Sequence, residues 1–383
     1  MYKYSFRLLL FLASAFLLNS CTSSKKIMQN TAEISNIKLL STYEIPFNLQ
    51  FKNTTVGGLS GIDYDAKNNV YYFICDDRSE KNAARFYTAR IFLSEKQIDS
   101  LVFTGVHYLL QSNGNTYPNN KQNKFLVPDP EAMRFNAKTK ELVWSSEGER
   151  IVKPTDTILI NPAIIMMKPN GSYIDSFKLP ENMHMQAIEK GPRRNSVFEG
   201  LAFADNYKTL YVSVEEPIYE DGPQAEIKEN NAYIRINKFK TASKKTVAQF
   251  AYKLDPVAYA ANPENSFKIN GVSDIMSLGK NKLLVIERSY STGRLPCTIK
   301  LFIADLNKAS DISNLSLKEN KNFIPAKKTL LLNMDSLGIY TDNIEGVTFG
   351  PVLPNGKKTL LCIADNNFNP VEKAQVLLFE ITE

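Results

Sequence analysis

Five similar hairpin-like segments, spaced at nearly even intervals, constrain the fold of this 383-residue chain more than any other feature. Each segment has a small or acidic opening, a short apolar run, a polar turn, a stronger apolar run and an acidic end. The segments read LSGIDYDAKNNVYYFICDDR (59–78), PEAMRFNAKTKELVWSSEGE (130–149), FEGLAFADNYKTLYVSVEEP (198–217), GVSDIMSLGKNKLLVIERSY (271–290) and IEGVTFGPVLPNGKKTLLCIADNN (344–367).

The separation between the opening and closing marked residues of each segment indicates an antiparallel hairpin. The separations are 16, 16, 16, 14 and 20 residues for the pairs Ser60–Asp76, Glu131–Glu147, Glu199–Glu215, Ser273–Glu287 and Glu345–Asp365. The midpoint of every pair falls in a polar or Gly/Asn/Pro turn. Since the first strand of a hairpin starts beside the end of the second, both marked residues of a segment are expected at the same end of its sheet.

Successive opening residues lie 71, 68, 74 and 72 positions apart, which leaves room for two more strands after each hairpin. Strand-like runs such as residues 232–239 and 246–254 fill that room. The sequence therefore predicts an all-β fold, a β-propeller of four-stranded antiparallel blades, with five blades. Residues 36–45 are expected to supply the missing strand of the last blade. The alternative is a six-bladed ring with a degenerate blade around residues 150–190.

The N-terminus resembles a bacterial lipoprotein signal. Lys3 and Arg7 precede an apolar run from Leu8 to Leu18, and Leu-Asn-Ser-Cys follows, with Cys21 as the expected lipidation site. We predict a signal peptide over residues 1–20, a polar tether over 21–34 and one propeller domain over 35–383. The expected location is the bacterial cell envelope, lipid-anchored in the membrane and facing the periplasm or the cell surface.

The charge distribution argues against nucleic acid as a partner. The formal net charge is +6, but the basic residues are scattered and no basic face with interleaved aromatic residues is visible. We expect a monomer that contacts the membrane only through its lipid anchor.

A closed ring of these hairpins gathers acids at one rim of a central channel. So many like charges in one place are unfavourable unless cations or arginines balance them, and Arg78 and Arg288 directly follow closing acids. The acids expected at this rim are Asp76, Asp77, Glu131, Glu147, Glu199, Glu215, Glu216, Asp274, Glu287, Glu345 and Asp365.

The segments together resemble the bacterial family known as esterase-like activity of phytase, or phytase-like domain. The resemblance rests on five motifs in order: G-L-S-G-I with Asp-Asp-Arg, D-P-E-A-M with Ser-Glu, E-G-L-A with Val-Glu-Glu, V-S-D-I with Ile-Glu-Arg, and N-I-E-G-V with Ala-Asp-Asn-Asn-Phe. It covers roughly residues 50–383 and implies hydrolysis of phosphate esters.

Metal-assisted hydrolysis of a phosphorylated small molecule is the resulting functional hypothesis. Oxygen-rich carboxylate sites suit Ca²⁺ or Mg²⁺, and analogy with the β-propeller phytases favours calcium. The expected catalytic residues are Glu131, Glu199, Glu345, Arg78 and Arg288. The expected metal ligands are Asp76, Glu147, Glu215, Asp274, Glu287 and Asp365.

A different class of function remains open at this point: a non-catalytic propeller that binds a sugar, a peptide or a protein partner at the cell envelope. Serine-esterase chemistry is disfavoured, because the only histidines are His107 and His184, outside the repeats, and no G-x-S-x-G motif occurs.

Overall fold

Strands in five four-stranded antiparallel sheets form the body of the protein in the computed structural model, which describes residues 34–382. Successive side chains of a strand face the two neighbouring sheets in turn, and apolar side chains on both faces fill the spaces between blades. The inner strands of successive sheets contact one another in a closed circle. The prediction of a five-bladed β-propeller is therefore confirmed.

The blades follow one another around the ring in chain order. Before the first blade come β1 (Asn36–Ile45), β2 (Gln50–Phe51) and β3 (Thr54–Thr55). Blade 1 contains β4 (Gly61–Asp65), β5 (Val70–Cys75), β6 (Arg85–Leu93) and β7 (Ile98–Tyr108), and helix α1 (Asn120–Asn123) follows it. Blade 2 begins with β8 (Pro130–Asn136) and β9 (Glu141–Ser146), continues through the inserted hairpin β10 (Glu149–Ile151) and β11 (Ile158–Ile160), and ends with β12 (Ala163–Met167) and β13 (Tyr173–Ser176).

The remaining blades have the same strand order from the axis outward. After a 3₁₀ turn (Glu181–Met183), blade 3 contains β14 (Phe198–Ala204), β15 (Thr209–Val214), β16 (Tyr233–Lys240) and β17 (Lys245–Lys253). Blade 4 contains β18 (Lys268–Gly279), β19 (Lys282–Ser291), β20 (Arg294–Asp305) and β21 (Lys327–Asn333), and a second 3₁₀ turn (Met334–Leu337) follows. Blade 5 contains β22 (Asn343–Phe349), β23 (Thr359–Asp365), β24 (Ala374–Thr382) and, as its outermost strand, β1.

Strand β1 completes blade 5 and joins the two ends of the described chain. It pairs antiparallel with β24 from Asn36 opposite Thr382 to Ile45 opposite Ala374, which confirms the strand predicted over residues 36–45. The six-bladed alternative is wrong. Residues 150–190 contribute the outer strands β12 and β13 of blade 2 and part of an inserted hairpin, because β12 pairs with β9 and leaves no inner strand for a separate blade.

The N-terminal predictions fall on the part of the chain for which the structure gives no description. The predicted signal peptide, Cys21 and all but the last residue of the predicted tether lie outside residues 34–382. Within that range, no helix has the length and apolar character needed to cross a bilayer.

Candidate functional site

A β-bulge near the start of the inner strand places one side chain per blade at the axis. The pairing of the first two strands shifts register in blades 2 to 5 between Pro130 and Met133, Phe198 and Gly200, Val272 and Asp274, and Ile344 and Gly346. The extra residue of a bulge turns its side chain out of the regular alternation. The residues at these positions, with their equivalent just before β4 in blade 1, are Ser60, Glu131, Glu199, Ser273 and Glu345.

These five residues form a first ring around the axis, and its two serines hold neighbouring blades together. Ser60 donates a hydrogen bond to the backbone carbonyl of Glu131 (2.7 Å), and Ser273 donates one to that of Ile344 (2.9 Å). The inner strands approach so closely that a Cβ on Gly346 would lie 2.9 Å from the backbone nitrogen of Ile62. The three glutamates are therefore held at a narrow axis with little freedom to separate.

The residues at the ends of the second strands form a second ring at the same end of the central channel. This end is called the mouth. Backbone hydrogen bonds join Asp76 to Gly58, Glu147 to Asp129 and Glu215 to Val197, each two residues before the bulge residue. In blades 4 and 5 the same pairing joins Arg288 to Gly271 and Asp365 to Asn343. The second ring consists of Asp76, Glu147, Glu215, Arg288 and Asp365.

Arg288, and not Glu287, occupies the mouth position in blade 4. Adjacent residues of a strand face opposite sides, so a one-residue shift sends Glu287 into the blade. There its carboxylate accepts hydrogen bonds from Tyr252 Oη (2.7 Å) and the backbone N–H of Asp255 (3.0 Å), and pairs with Lys328. The structure thus does not bring Glu287 into the predicted acidic cluster.

Two carboxylate triads share Glu131 at the junction of blades 1, 2 and 3. The first joins Asp76, Asp129 and Glu131, and the second joins Glu131, Glu147 and Glu199. In each triad, one oxygen from every residue lies within 4.8 Å of the others. Metal–oxygen distances of about 2.3–2.6 Å for Ca²⁺ place opposite ligands about 5 Å apart, so each triad fits a cation of that size.

Glu131 is a poorly compensated acid at the centre of the cluster. It is 7% exposed, and no hydrogen-bond donor or cation among residues 34–382 contacts its carboxylate. Burial raises its pKa well above the usual range, and the carboxylates of Asp76 and Glu199 raise it further. A buried charge without a partner is expensive, so this carboxyl group needs either a proton or a cation.

Burial also raises the pKa values of the carboxylates around Glu131. Burial raises the pKa of Asp129 to about 8, although Arg78 opposes the shift, and raises the pKa of Glu147 to about 7, with Glu215 adding to it. Burial also raises the pKa of Glu199 well above its usual range, and Glu147 contributes next. Without a bound cation, the cluster retains protons near neutral pH.

The opposite side of the mouth has its own cation. Arg288 donates to Glu215 (2.6 Å) and to the amide oxygen of Asn343 (2.9 Å), and its Nη1 lies 3.8 Å from Glu345. Its buried Nε–H has no partner among the described residues, so this guanidinium keeps a donor for a further oxygen atom. Burial raises the pKa of Glu345, while Arg288 lowers it.

The sequence predicts Arg78 at the mouth, but not the partners that hold it at the outer edge of the first triad. Arg78 lies 3.3 Å from Asp129 and 3.2 Å from Glu149, and Arg194 donates to the other oxygen of Glu149 at 2.7 Å. Asp129 belongs to the D-P-E-A-M motif, which is the signal that could have identified it. Glu149 and Arg194 lie on the β10 strand and a long loop, for which the repeat pattern carries no signal.

An ion pair crosses the axis below the acids. Arg134 on β8 donates to both oxygens of Asp274 (2.7 and 2.6 Å) and to the backbone carbonyls of Ile62 (3.0 Å) and Val347 (3.3 Å), which belong to blades 1 and 5. Asp274 is fully buried and also accepts from the backbone N–H of Val347. Its oxygens are therefore occupied by Arg134 and the backbone, away from the two triads.

Two further acids expected at the rim face other partners. Asp77 pairs with Arg85 (2.7 Å), and Glu216 accepts hydrogen bonds from Ser196 (2.6 Å) and Gln224 (2.7 Å). The acids that remain at the mouth from the sequence prediction are Asp76, Glu131, Glu147, Glu199, Glu215, Glu345 and Asp365.

The fold and the site define a five-bladed β-propeller with a buried carboxylate cluster at one axial mouth. The chain belongs to the phytase-like family, described as esterase-like activity of phytase, whose sequence model matches residues 54–368. No curated protein matches the chain at a significant level.

Several solved structures show a remote similarity. An exo-β-1,3-galactanase from Phanerochaete chrysosporium in complex with β-1,3-galactotriose is 13% identical over 89% of this chain and 64% of its own, with a TM-score of 0.44. A xyloglucan-locus GH43B protein from Bacteroides ovatus is 10% identical over 88% and 54%, with a TM-score of 0.43. The hydrazine synthase of Kuenenia stuttgartiensis is 11% identical over 86% and 98%, with a TM-score of 0.32. The chain thus spans less than two thirds of the first two proteins, and these similarities carry no information about its activity.

Proposed function

We propose that the protein is a phosphoric ester hydrolase that uses the axial carboxylate cluster with a divalent cation, calcium by preference. The observation that carries the proposal is Glu131, a buried carboxylate without a donor that is shared by two triads of ion-binding size. Membership of the phytase-like family supports the reaction class. Hard carboxylate oxygen donors match calcium better than a softer metal.

A bound divalent cation supplies charge neutralisation, a polarised phosphate oxygen and a more acidic water. The chain's own residues supply the rest. Arg288 has an unpartnered N–H group at the mouth and is suited to bind a phosphate oxygen, while Arg78 lies at the edge of the first triad. Both guanidiniums offset the repulsion between a phosphate ester and the acids.

Two glutamates of the first ring transfer the protons. Water attacks phosphorus, and its proton passes to the carboxylate of Glu199. The phosphorus–oxygen bond to the alcohol breaks, and the carboxylic acid of Glu345 protonates the departing oxygen. The raised pKa of Glu345 suits a proton donor near neutral pH. The products are an alcohol and inorganic phosphate.

Phosphate release from a panel of phosphomonoesters and phytate tests this function. With Ca²⁺, Mg²⁺ or Mn²⁺ we expect turnover that disappears with chelator and falls at least about 100-fold in Glu131→Gln, because Glu131 serves both triads. The matched control is Glu141→Gln, at the opposite end of the same hairpin, where activity is expected to be unchanged.

The negative results separate the alternatives. No phosphate release from any substrate with any of the three metals overturns the proposal. Stabilisation of the protein by a sugar or peptide without turnover supports a binding module instead.

A further inference from the structure

We infer that the mouth holds two divalent cations side by side, one in each triad, with Glu131 giving one carboxylate oxygen to each. This inference rests on the proposed function, because it refines the cation site of the same mouth. The first site consists of Asp76, Asp129 and Glu131, and the second of Glu131, Glu147 and Glu199.

The grouping of the carboxylates favours two cation sites over one. Both triads satisfy the spacing for ion binding, but only Glu131 belongs to both. The first triad lies between blades 1 and 2, and the second between blades 2 and 3, as the repeat of the bulge from blade to blade dictates. A carboxylate has two oxygens, so a bridging role uses Glu131 fully, whereas one cation would leave one triad uncompensated.

The charges of the two triads also support two cations. The two triads contain five carboxylates, and the one guanidinium paired with them among residues 34–382 is that of Arg78, at Asp129. Four negative charges remain, which two divalent cations balance. Arg288 forms its ion pair with Glu215 across the mouth and acts on Glu199 only through space.

Two features of the mouth favour a missing ligand over a set of acids with a purely structural role. The Glu131 side chain is more than nine-tenths buried and has no donor among the described residues. Asp365, which belongs to the second ring at the same mouth and is fully buried, has one oxygen, Oδ2, without any hydrogen-bond partner in the described part of the chain. Acids that serve only as structural links are normally satisfied by donors, as Asp77 and Glu216 are.

The equivalent positions at the other blade junctions do not form a carboxylate triad. Between blades 3 and 4 the triad position contains Ser273 in place of a glutamate, and Arg288 fills the space beside Glu215. Between blades 5 and 1 the corresponding position is Ser60, whose hydroxyl is bonded to the backbone of Glu131. Between blades 4 and 5 the equivalent positions are Ser273, Arg288 and Glu345, and the guanidinium lies 3.8 Å from the one carboxylate. The carboxylate triads therefore lie at the junctions on either side of blade 2.

Calcium stoichiometry of the purified full chain tests the inference without measuring activity. Chelator-treated protein is dialysed against buffered Ca²⁺ and analysed for bound metal. We expect two equivalents in the wild type, one in Asp129→Asn and one in Glu199→Gln, since each removes a ligand from one triad only. In Glu131→Gln both affinities are expected to fall at least about tenfold.

The matched control is Glu345→Gln, a bulge-position glutamate of the same ring outside both triads, which is expected to retain two equivalents. A wild-type stoichiometry of one, with phosphate release intact, overturns the two-cation inference and leaves the proposed function standing. A stoichiometry of zero overturns both.

Loss of all metal in Asp129→Asn or in Glu199→Gln contradicts separate sites. Melting curves show whether a variant is folded, and the wild-type isotherm, expected to show two binding steps, does not depend on any variant.

Discussion

Arg134 joins four of the five blades through a single side chain. Removing a guanidinium and a carboxylate from water costs several kcal/mol each, and only close pairing with further hydrogen bonds offsets that cost. Here both conditions are met by Asp274 and by carbonyls of blades 1, 4 and 5. The pair therefore forms a polar floor under the acidic mouth.

Removing Arg134 should be strongly destabilising. In Arg134→Met the buried Asp274 loses its cation, and we expect the free energy of unfolding to fall by about 3–5 kcal/mol in denaturant titrations. The control is Lys124→Met, which breaks the exposed pair with Asp156 and should cost under about 1 kcal/mol. Arg134→Met combined with Asp274→Leu should recover part of the loss. A loss below about 1 kcal/mol in the single variant contradicts the role given to the pair.

The partners of single residues mark the limit of what the sequence can predict. The motif V-S-D-I places Asp274 beside an opening serine, so the sequence predicts its carboxylate at the metal site. Its actual partner, Arg134, lies 140 positions away in an apolar strand where nothing signals an inward-facing charge. Contacts across the axis depend on the closed ring, which sequence spacing does not specify to the level of side-chain pairs.

At the scale of the element, register decides which acids reach the mouth. The sequence predicts the hairpins, their turns and the strand β1, because these depend on local pattern and repeat. The separation of 14 residues between Ser273 and Glu287 is shorter than the 16 residues of blades 1 to 3, and it indicates a different register in blade 4. In the structure Gly271 pairs with Arg288, and the side chain of Glu287 points into the blade. A bulge adds a residue to one strand, and alternation by itself does not reveal where.

Strand β1 is expected to contribute to the stability of blade 5. It covers the outer edge of β24 and buries Ile37 and Ile45. We expect a chain that starts at residue 46 to melt on the order of 10 °C below a chain that starts at residue 34, because an edge strand and its apolar contacts are lost. A synthetic peptide of residues 34–45 should restore part of the difference. Equal melting temperatures would show that the ring closes without this strand.

At the scale of the whole molecule, the charge of the mouth is asymmetric. Blades 3 to 5 place Glu215 and Glu345 around Arg288, whereas blades 1 to 3 place their acids around each other. The fivefold repeat predicts a uniform acidic rim, and the departures from it at Ser60, Ser273 and Arg288 create the distinction between the two sides. Under the proposed function, a phosphate group would contact a carboxylate side that binds cations and a guanidinium side of the same mouth.

The raised pKa values of the mouth carboxylates predict how the stability of the metal-free protein depends on pH. Burial raises the pKa of Glu215 and of Asp129 to about 8 and that of Glu147 to about 7, from an ordinary value near 4 to 4.5. Between about pH 4.5 and 8 the folded state therefore binds more protons than the unfolded state, so stability is present at low pH and is lost as pH rises through the folded-state pKa values. With chelator present, we expect the melting temperature to fall by about 5 °C from pH 5.5 to pH 8.

Adding Ca²⁺ at pH 8 should reverse most of that fall, because cation binding replaces the protons that the carboxylates have released. Glu147→Gln in chelator should flatten the pH dependence, since it removes one of the titrating groups, while Glu141→Gln at the other end of the hairpin should leave it unchanged. A melting temperature that rises with pH in the metal-free protein would mean that the mouth carboxylates are ionised and compensated within the fold, and would remove the electrostatic reason for a cation there.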